Sequence, residues 1–455
     1  LFSFLTQIYL VMKNFTQLLL IFLFVIGNVF AQQEKGIIGA NNWLYNWAEF
    51  KPNQNSYDEP TQIIAGNIDK DTKLVKRDTY LLLGSVFVTN GATLTIEPGT
   101  VIIGDFASKA SLTISKGSKI IAEGLETDPI IFTSNRSVKR AGDWGGLIIL
   151  GDAPTNKFGN GSVASYHTDL TPSAYANTNF GGSDPESNSG ILKYVRIEFA
   201  GKRISNNDYF NGLLLACTGS KTVIENIMVS YSAGNSFEIY GGQVNLNKLV
   251  SYRSSGNDFK FNYGANSKLH NSLAVRSPYV SSSYGSRCIQ ISSYNKKEEV
   301  DFSKNGTMVV AENITLVTDS DNIKADIDKG LVKEAVYVGQ NSSLNMSTSV
   351  ISGFNPAVLF QDTIFINQEN LEKIKFSNMY FNNCNGNIFV ENNSNNEDLE
   401  NWYGNSAFFN VYAKSNNAET FIDLKNDKKP DFRLRINKII ASKDHFAAED
   451  TGIND

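Results

Sequence analysis

A short stretch near position 255 holds residues that could act together on a polysaccharide. Tyr252 offers an aromatic face, Arg253 and Lys260 are cations, and Asp258 is a carboxylate. Elimination at a uronate needs a base, commonly Arg or Lys, beside carboxylates that hold Ca²⁺ against the sugar, while hydrolysis needs paired carboxylates across the bond. Arg253, Asp258 and Lys260 are therefore the catalytic candidates, with Tyr252 and Arg253 as ligand contacts. The competing reading is structural, with Asn and Asp capping turns and Arg253 spanning a face. It is preferred, because the chain has no Asp-Asp dipeptide and no Gly-His-Gly.

Asp184 and Glu186, with Asp143 or Asp152 nearby, form a candidate Ca²⁺ site, against the plainer reading of an Asp-Pro turn. Ca²⁺ takes six to eight oxygens, so backbone carbonyls would have to complete it. No other cofactor is suggested. Trp144, flanked by glycines, is either an exposed sugar-stacking platform or, preferably, a space-filler beneath a loop, since Gly145-Gly146 suits close backbone packing. His167, His270 and His445 stand apart from one another and read as surface or turn residues.

The elements that must position these residues are legible in composition and repeat. Of 455 residues, 19% are charged, and the net charge is −5. A nucleic-acid partner is therefore not expected, because phosphates require a cationic field. Cys217, Cys288 and Cys384 are too few and too scattered for a zinc ribbon or a disulfide framework. Asn, Ser and Gly are plentiful, as in turns and stacked strands.

Met12-Lys13-Asn14, the apolar run Leu18 to Ile26, and small residues at Val29 and Ala31 describe a secretory signal peptide over residues 1–31. Residues 1–11 read as sequence upstream of a start at Met12. The run is too short to span a hydrocarbon core, and the mature chain is expected to be secreted or displayed at the cell surface, as a monomer without a membrane span.

Thr93-Leu94-Thr95-Ile96 through Gly104 is echoed eighteen residues later at Ser111-Leu112-Thr113-Ile114 through Ala122. Asn226 through Phe237 is echoed at Asn247 through Phe259, 21 to 22 residues on, and again from Asn271. Apolar and polar residues alternate within each unit and glycine punctuates them, which gives short strands at a period too small for propeller blades. Self-similar coils favour a solenoid over a sandwich. The expectation is an all-β, single-stranded, right-handed parallel β-helix over residues 76–430. Roughly 10–13 coils rising about 4.8 Å each give a rod of roughly 50–60 Å. Residues 32–75 are expected to cap the open first coil, residues 152–189 to form one long loop excursion, and residues 431–455 to be a tail without strands. Asn226, Asn247 and Asn271 are expected to stack as an internal amide ladder.

Gly142-Asp143-Trp144-Gly145-Gly146-Leu147 through Pro154, Phe180-Gly181-Gly182 through Gly201, and Phe237-Glu238-Ile239-Tyr240-Gly241-Gly242 resemble stretches of exported pectin-lyase-like β-helix proteins of Bacteroidetes-type bacteria. The resemblance covers residues 80 to 290 well and the remainder loosely. It implies fold and address more than chemistry, because that family is mostly of surface proteins without an assigned activity. Relatives are richer in Asp where this chain has Gly234-Asn235-Ser236 and Gly256-Asn257-Asp258, which weakens any inherited cation site. Enzymes on this fold usually cleave acidic polysaccharides. The preferred expectation is a non-catalytic protein presenting a long face to a polysaccharide or a surface protein; the alternative is a polysaccharide lyase or glycoside hydrolase.

Overall fold

The computed structural model describes residues 34–435, apart from 168–169, 206–207, 282–285 and 427. The signal peptide expected over residues 1–31, His445 and the tail beyond 435 lie outside the described residues.

Lys35–Arg435 form a parallel β-helix whose coils contribute to a 28-stranded parallel assembly. Each coil runs through three faces. The first face stacks Val101–Gly104, Ile130–Ser134 and, further on, Leu273–Arg276, Thr315–Thr318 and Val350–Ser352. The second stacks Leu147–Leu150, Leu213–Ala216, Phe237–Tyr240, Phe259–Asn262 and Ile289–Ile291. The third stacks Thr93–Ile96 on Lys119–Glu123 and continues to Ile374–Ser377. Alternation sends every second side chain inward, so Leu249, Phe259 and Phe261 are fully buried, and Phe237 stacks on Phe259 with ring centres 5.3 Å apart.

The 22-residue echo is the true coil repeat: Ile227 pairs with Leu249 and Phe237 with Phe259. The 18-residue echo is not. Leu94 stacks on Ile120, whereas Ser111–Ile114 lies on the second face beside Ser85–Val88. Any strand entering the core carries the same alternation whichever face it belongs to, so successive faces imitate successive coils.

Corners explain the asparagines. Asn226, Asn271, Asn313 and Asn378 turn the chain from third face to first with φ between 46° and 57°, a left-handed conformation that Asn tolerates better than most residues. Lys248, not Asn247, occupies that corner in its coil; Asn247 sits one residue earlier and bonds Glu225 and His270. A side-chain amide ladder does exist, but at Asn211, Asn235 and Asn257, where Asn235 Nδ2 donates to Asn211 Oδ1 and Asn257 Nδ2 to Asn235 Oδ1, each at 3.0 Å.

The N-terminal segment does not cap the first coil. Gln62–Ile68 and Thr72–Leu74 already belong to the helix, pairing with Thr79–Val88 and Thr93–Ile96. Residues 35–57 instead run as a strap along the outside of the first face. Lys35 donates to the carbonyls of Met379 and Phe409, Ile37 N–H to Thr315, Ile38 N–H to Asn271, and Tyr57 accepts from Arg196. The reason lies in the sheet: its outward Met228 and Val250 are apolar and need cover, which Trp47 and Phe50 help to supply. Past position 430 the chain forms a strand after all. Asp431–Leu434 pairs antiparallel with Phe421–Asp423, and Phe432 meets Phe50 of the strap.

The excursion after Leu150 folds back over the second face. Val163 and Phe180 from it, with Phe210, bury Ile148, Leu150 and Leu214 in a second, smaller core. That cover ends at the strand Phe237–Tyr240, and beyond it the outward residues of the second face line an open trough. Among the described residues no helix is long and apolar enough to cross a membrane.

Candidate functional site

The trough is built from outward positions of consecutive coils. Glu238 and Tyr240 come from one strand, Lys260 from the next and Gln290 from the third, so register alone places them in a row. The Asn211–Asn235–Asn257 ladder, with Tyr166 and Asp208 from the covering loops, completes the lining of a cavity of about 370 Å³. Gly256 lets the ladder coils close up, since a Cβ there would lie 2.6 Å from the backbone of Gly234.

Glu238 is the centre of the network. Lys260 Nζ lies 2.8 Å from its Oε1, while Asn211 Nδ2 at 2.7 Å and Asn235 Nδ2 at 3.0 Å donate to its Oε2. The carboxylate, 2% exposed, is therefore neutralised by Lys260 and hydrogen-bonded through Oε2, while Oε1 is buried with the ion pair as its only partner. Tyr166 and Tyr240 bring their hydroxyls within 3.4 Å of each other. Burial, reinforced by the charge of Glu238, pushes both phenols above their ordinary range, so they stay neutral hydrogen-bonding groups. Beyond them Asn262 donates to Asn295, and Lys157 lies 4.1 Å over the ring of Tyr263 while pairing with Glu299. Further along the same face Arg287 pairs with Glu334 and covers the ring of Tyr337 at 4.1 Å.

Other cavities adjoin the β-helix, two of them larger than the trough. One of about 570 Å³ lies at the edge of the excursion and carries mostly hydroxyls and carboxamides, with Lys109. His167 lines it, bonded through Nδ1 to Ser85 at 2.9 Å, and burial lowers its pKa to about 4. The other, about 470 Å³, lies between the strap, the first face and the C-terminal hairpin.

The residues singled out in the sequence do not share one groove. Tyr252 and Arg253 line the cavity beneath the strap, where Tyr252 meets Phe50 edge-on and Arg253 pairs with Asp319 at 2.6 Å. Asp258 is fully buried between first and second faces, paired with Arg276 at 2.9 Å and accepting from Ser251, so it has no oxygen open to substrate. Lys260 alone of the catalytic candidates reaches the trough. Trp144 is not an exposed platform but a space-filler, as preferred, although the space it fills is the coil interior. It is a core side chain stacked on Phe132, its Nε1 donating to the Glu198 carbonyl at 2.8 Å, and a Cβ at Gly104 would come within 2.7 Å of its ring.

The Ca²⁺ candidates are dispersed as well. Asp184 accepts from the Glu186 N–H, Glu186 pairs with Lys221, Asp152 with Lys116, and Asp143 is buried against Ser134 and Arg136. Among the described residues no three His, Cys, Asp or Glu side chains converge to hold a metal ion. Glu238, Asn211 and Tyr166 escaped the sequence reading. Glu238 was within reach: aligning Phe237 with Phe259 sets Glu238 against Lys260, opposite charges at one outward position.

No curated protein sequence matches this chain. Among solved structures, the catalytic domain of a GH87 alpha-1,3-glucanase in complex with nigerose is similar at 12% identity, over 79% of this chain and 69% of that one, with a TM-score of 0.34. The Streptococcus pneumoniae surface protein and adhesin PfbA is similar at 11% identity, over 72% and 91%, with a TM-score of 0.31. The Azotobacter vinelandii mannuronan C-5 epimerase AlgE6 A-module is similar at 10% identity, over 78% and 91%, with a TM-score of 0.22. Residues 66–423, nearly all of the stacked coils, match the pectate-lyase-like β-helix domain, and the chain belongs to that family.

Proposed function

We propose that the protein is exported to the cell surface or the medium and binds polysaccharide in the second-face trough without cutting it. The observation that carries this reading is the state of Glu238. Carboxamides, neutral phenols and aromatic faces in a row suit sugar hydroxyls and ring faces. Oε2 of Glu238 accepts from two amides, and Oε1 is buried and held by the charge of Lys260 without a hydrogen bond of its own, whereas a nucleophile or general base needs an oxygen facing the substrate. The other carboxylate lining the trough, Asp208, is exposed and accepts from Ser205 through one oxygen, but with Glu238 buried it has no second open carboxylate among the described residues of this lining to work with. Export rests on the signal-peptide pattern of residues 12–31.

Screening residues 32–455 on a glycan array, followed by incubation with each hit, tests the reading. Binding without product is expected. New reducing ends or unsaturated ends absorbing in the ultraviolet overturn it in favour of a hydrolase or lyase, the reading favoured by the convergence of Glu238, Lys260 and two tyrosines on one cavity.

A further inference from the structure

We infer that the glycan taken by the trough is neutral, not a uronate or sulfated chain. This rests on the binding function proposed above and adds the ligand's chemical class. Acidic polysaccharides are gripped by cations held in excess over carboxylates, or by metal ions bridging carboxylates on both partners. The trough offers neither. Its lining carries one cation, Lys260, against two carboxylates, Glu238 and Asp208, and Lys260 already pairs with Glu238. The cations that follow along the face are matched in the same way, Lys157 with Glu299 and Arg287 with Glu334. Including Lys109 of the adjoining cavity brings the lining only to neutrality. Among the described residues, a uronate entering here would meet a lining with no excess of cations to offset its own charge. A bridging metal fares no better, because Lys260 occupies one oxygen of Glu238 and two amides occupy the other.

What remains is uncharged and directional. The Asn211–Asn235–Asn257 ladder is spent on itself and on Glu238, so it serves as a rigid uncharged wall and the ligand is left to the groups that are not buried. Those are the carboxamides of the half-buried Gln290 and the exposed Asn295, with the neutral hydroxyls of Tyr166 and Tyr240.

The test measures affinity of the full mature chain for neutral glucans and mannans and for polygalacturonate and alginate, with calcium chloride present or chelated. Neutral chains are expected to bind, with an affinity changing by less than about twofold between about 0.02 M and about 0.5 M salt. Glu238→Gln, which leaves Lys260 without its counter-charge, is expected to gain affinity for polygalacturonate at low salt. Asp208→Asn, at the exposed rim, is expected to do so more weakly, and it serves if Glu238→Gln fails to fold. Wild-type binding of polygalacturonate or alginate that exceeds neutral binding and collapses with salt overturns the neutral assignment and leaves the binding function standing. Absence of binding to every glycan of both classes overturns the binding function, and the assignment with it.

Discussion

Asp258 and Arg276 decide whether the acidic residue picked out by the sequence serves chemistry or the coil. Asp258 is fully buried, Arg276 is 4% exposed, and their atoms lie 2.9 Å apart. Arg276 also donates to the carbonyls of Ser254 and Gly256, at 3.1 and 3.0 Å, so it ties two coils together. Removing one partner of a buried pair strands the other and costs about 3–5 kcal/mol. Asp258→Asn keeps the shape and the carbonyl acceptors of Arg276, which places it near the lower figure, about 3 kcal/mol. Arg276→Met leaves a buried carboxylate. Burial already pushes the pKa of Asp258 up, with Arg276 pulling it back, so without Arg276 it rises further. A carboxyl whose folded pKa lies above its unfolded value loses stability as pH climbs from the unfolded pKa to the folded one. Arg276→Met is thus expected to be less destabilised at about pH 5 than at about pH 8, since protonation relieves the stranded charge. Urea unfolding followed by tryptophan fluorescence measures both variants. Wild-type stability in Asp258→Asn would refute the structural role; unchanged stability with lost glycan binding would move Asp258 into the site.

Three further outcomes follow from the same contacts. Trp144→Ala removes a fully buried indole and should cost about 3–5 kcal/mol in urea unfolding, with glycan affinity retained in the folded fraction; intact stability would contradict its core placement. Burial lowers the Lys35 amine to about 8, so its charged form opposes docking of the strap. Protection of residues 36–50 from hydrogen exchange, corrected for intrinsic rate, should therefore rise as pH passes from 8 toward the unfolded pKa of about 10.4, and Lys35→Met should flatten the rise. Chelation with EDTA should leave the melting temperature unchanged, because Asp184 and Glu186 are spent on a turn and on Lys221; a large drop would show a cation site.

The β-helix was legible because its signal is local and repeated: the 22-residue offset from Ile227 to Leu249 is an actual coil, read from alternation and glycine alone. The path of the strap was not. Trp47 and Phe50 announce an apolar surface in search of cover, but no local rule says that it is the flank of the first face and not the open end. That choice depends on Met228 and Val250 pointing outward, which only the register reveals. The site failed for a related reason. Tyr252, Arg253, Asp258 and Lys260 are close in sequence, yet a coil turns between them and sends them to a lateral cavity, the interior and the trough. Chemistry on a solenoid gathers across coils, at positions about 22 residues apart, as Glu238 and Lys260 are. Trp144 shows the limit of reading residue type alone, because the glycine that accommodates its ring, Gly104, lies on a neighbouring strand.

Hydrogen–deuterium exchange on the mature chain, saturated with a bound glycan, tests the trough most directly. The account predicts new protection at residues 235–240, 257–262 and 288–291, the consecutive coils of the second face. Protection confined instead to residues 50–54, 252–253 and 417–432, around the cavity beneath the strap, would contradict it.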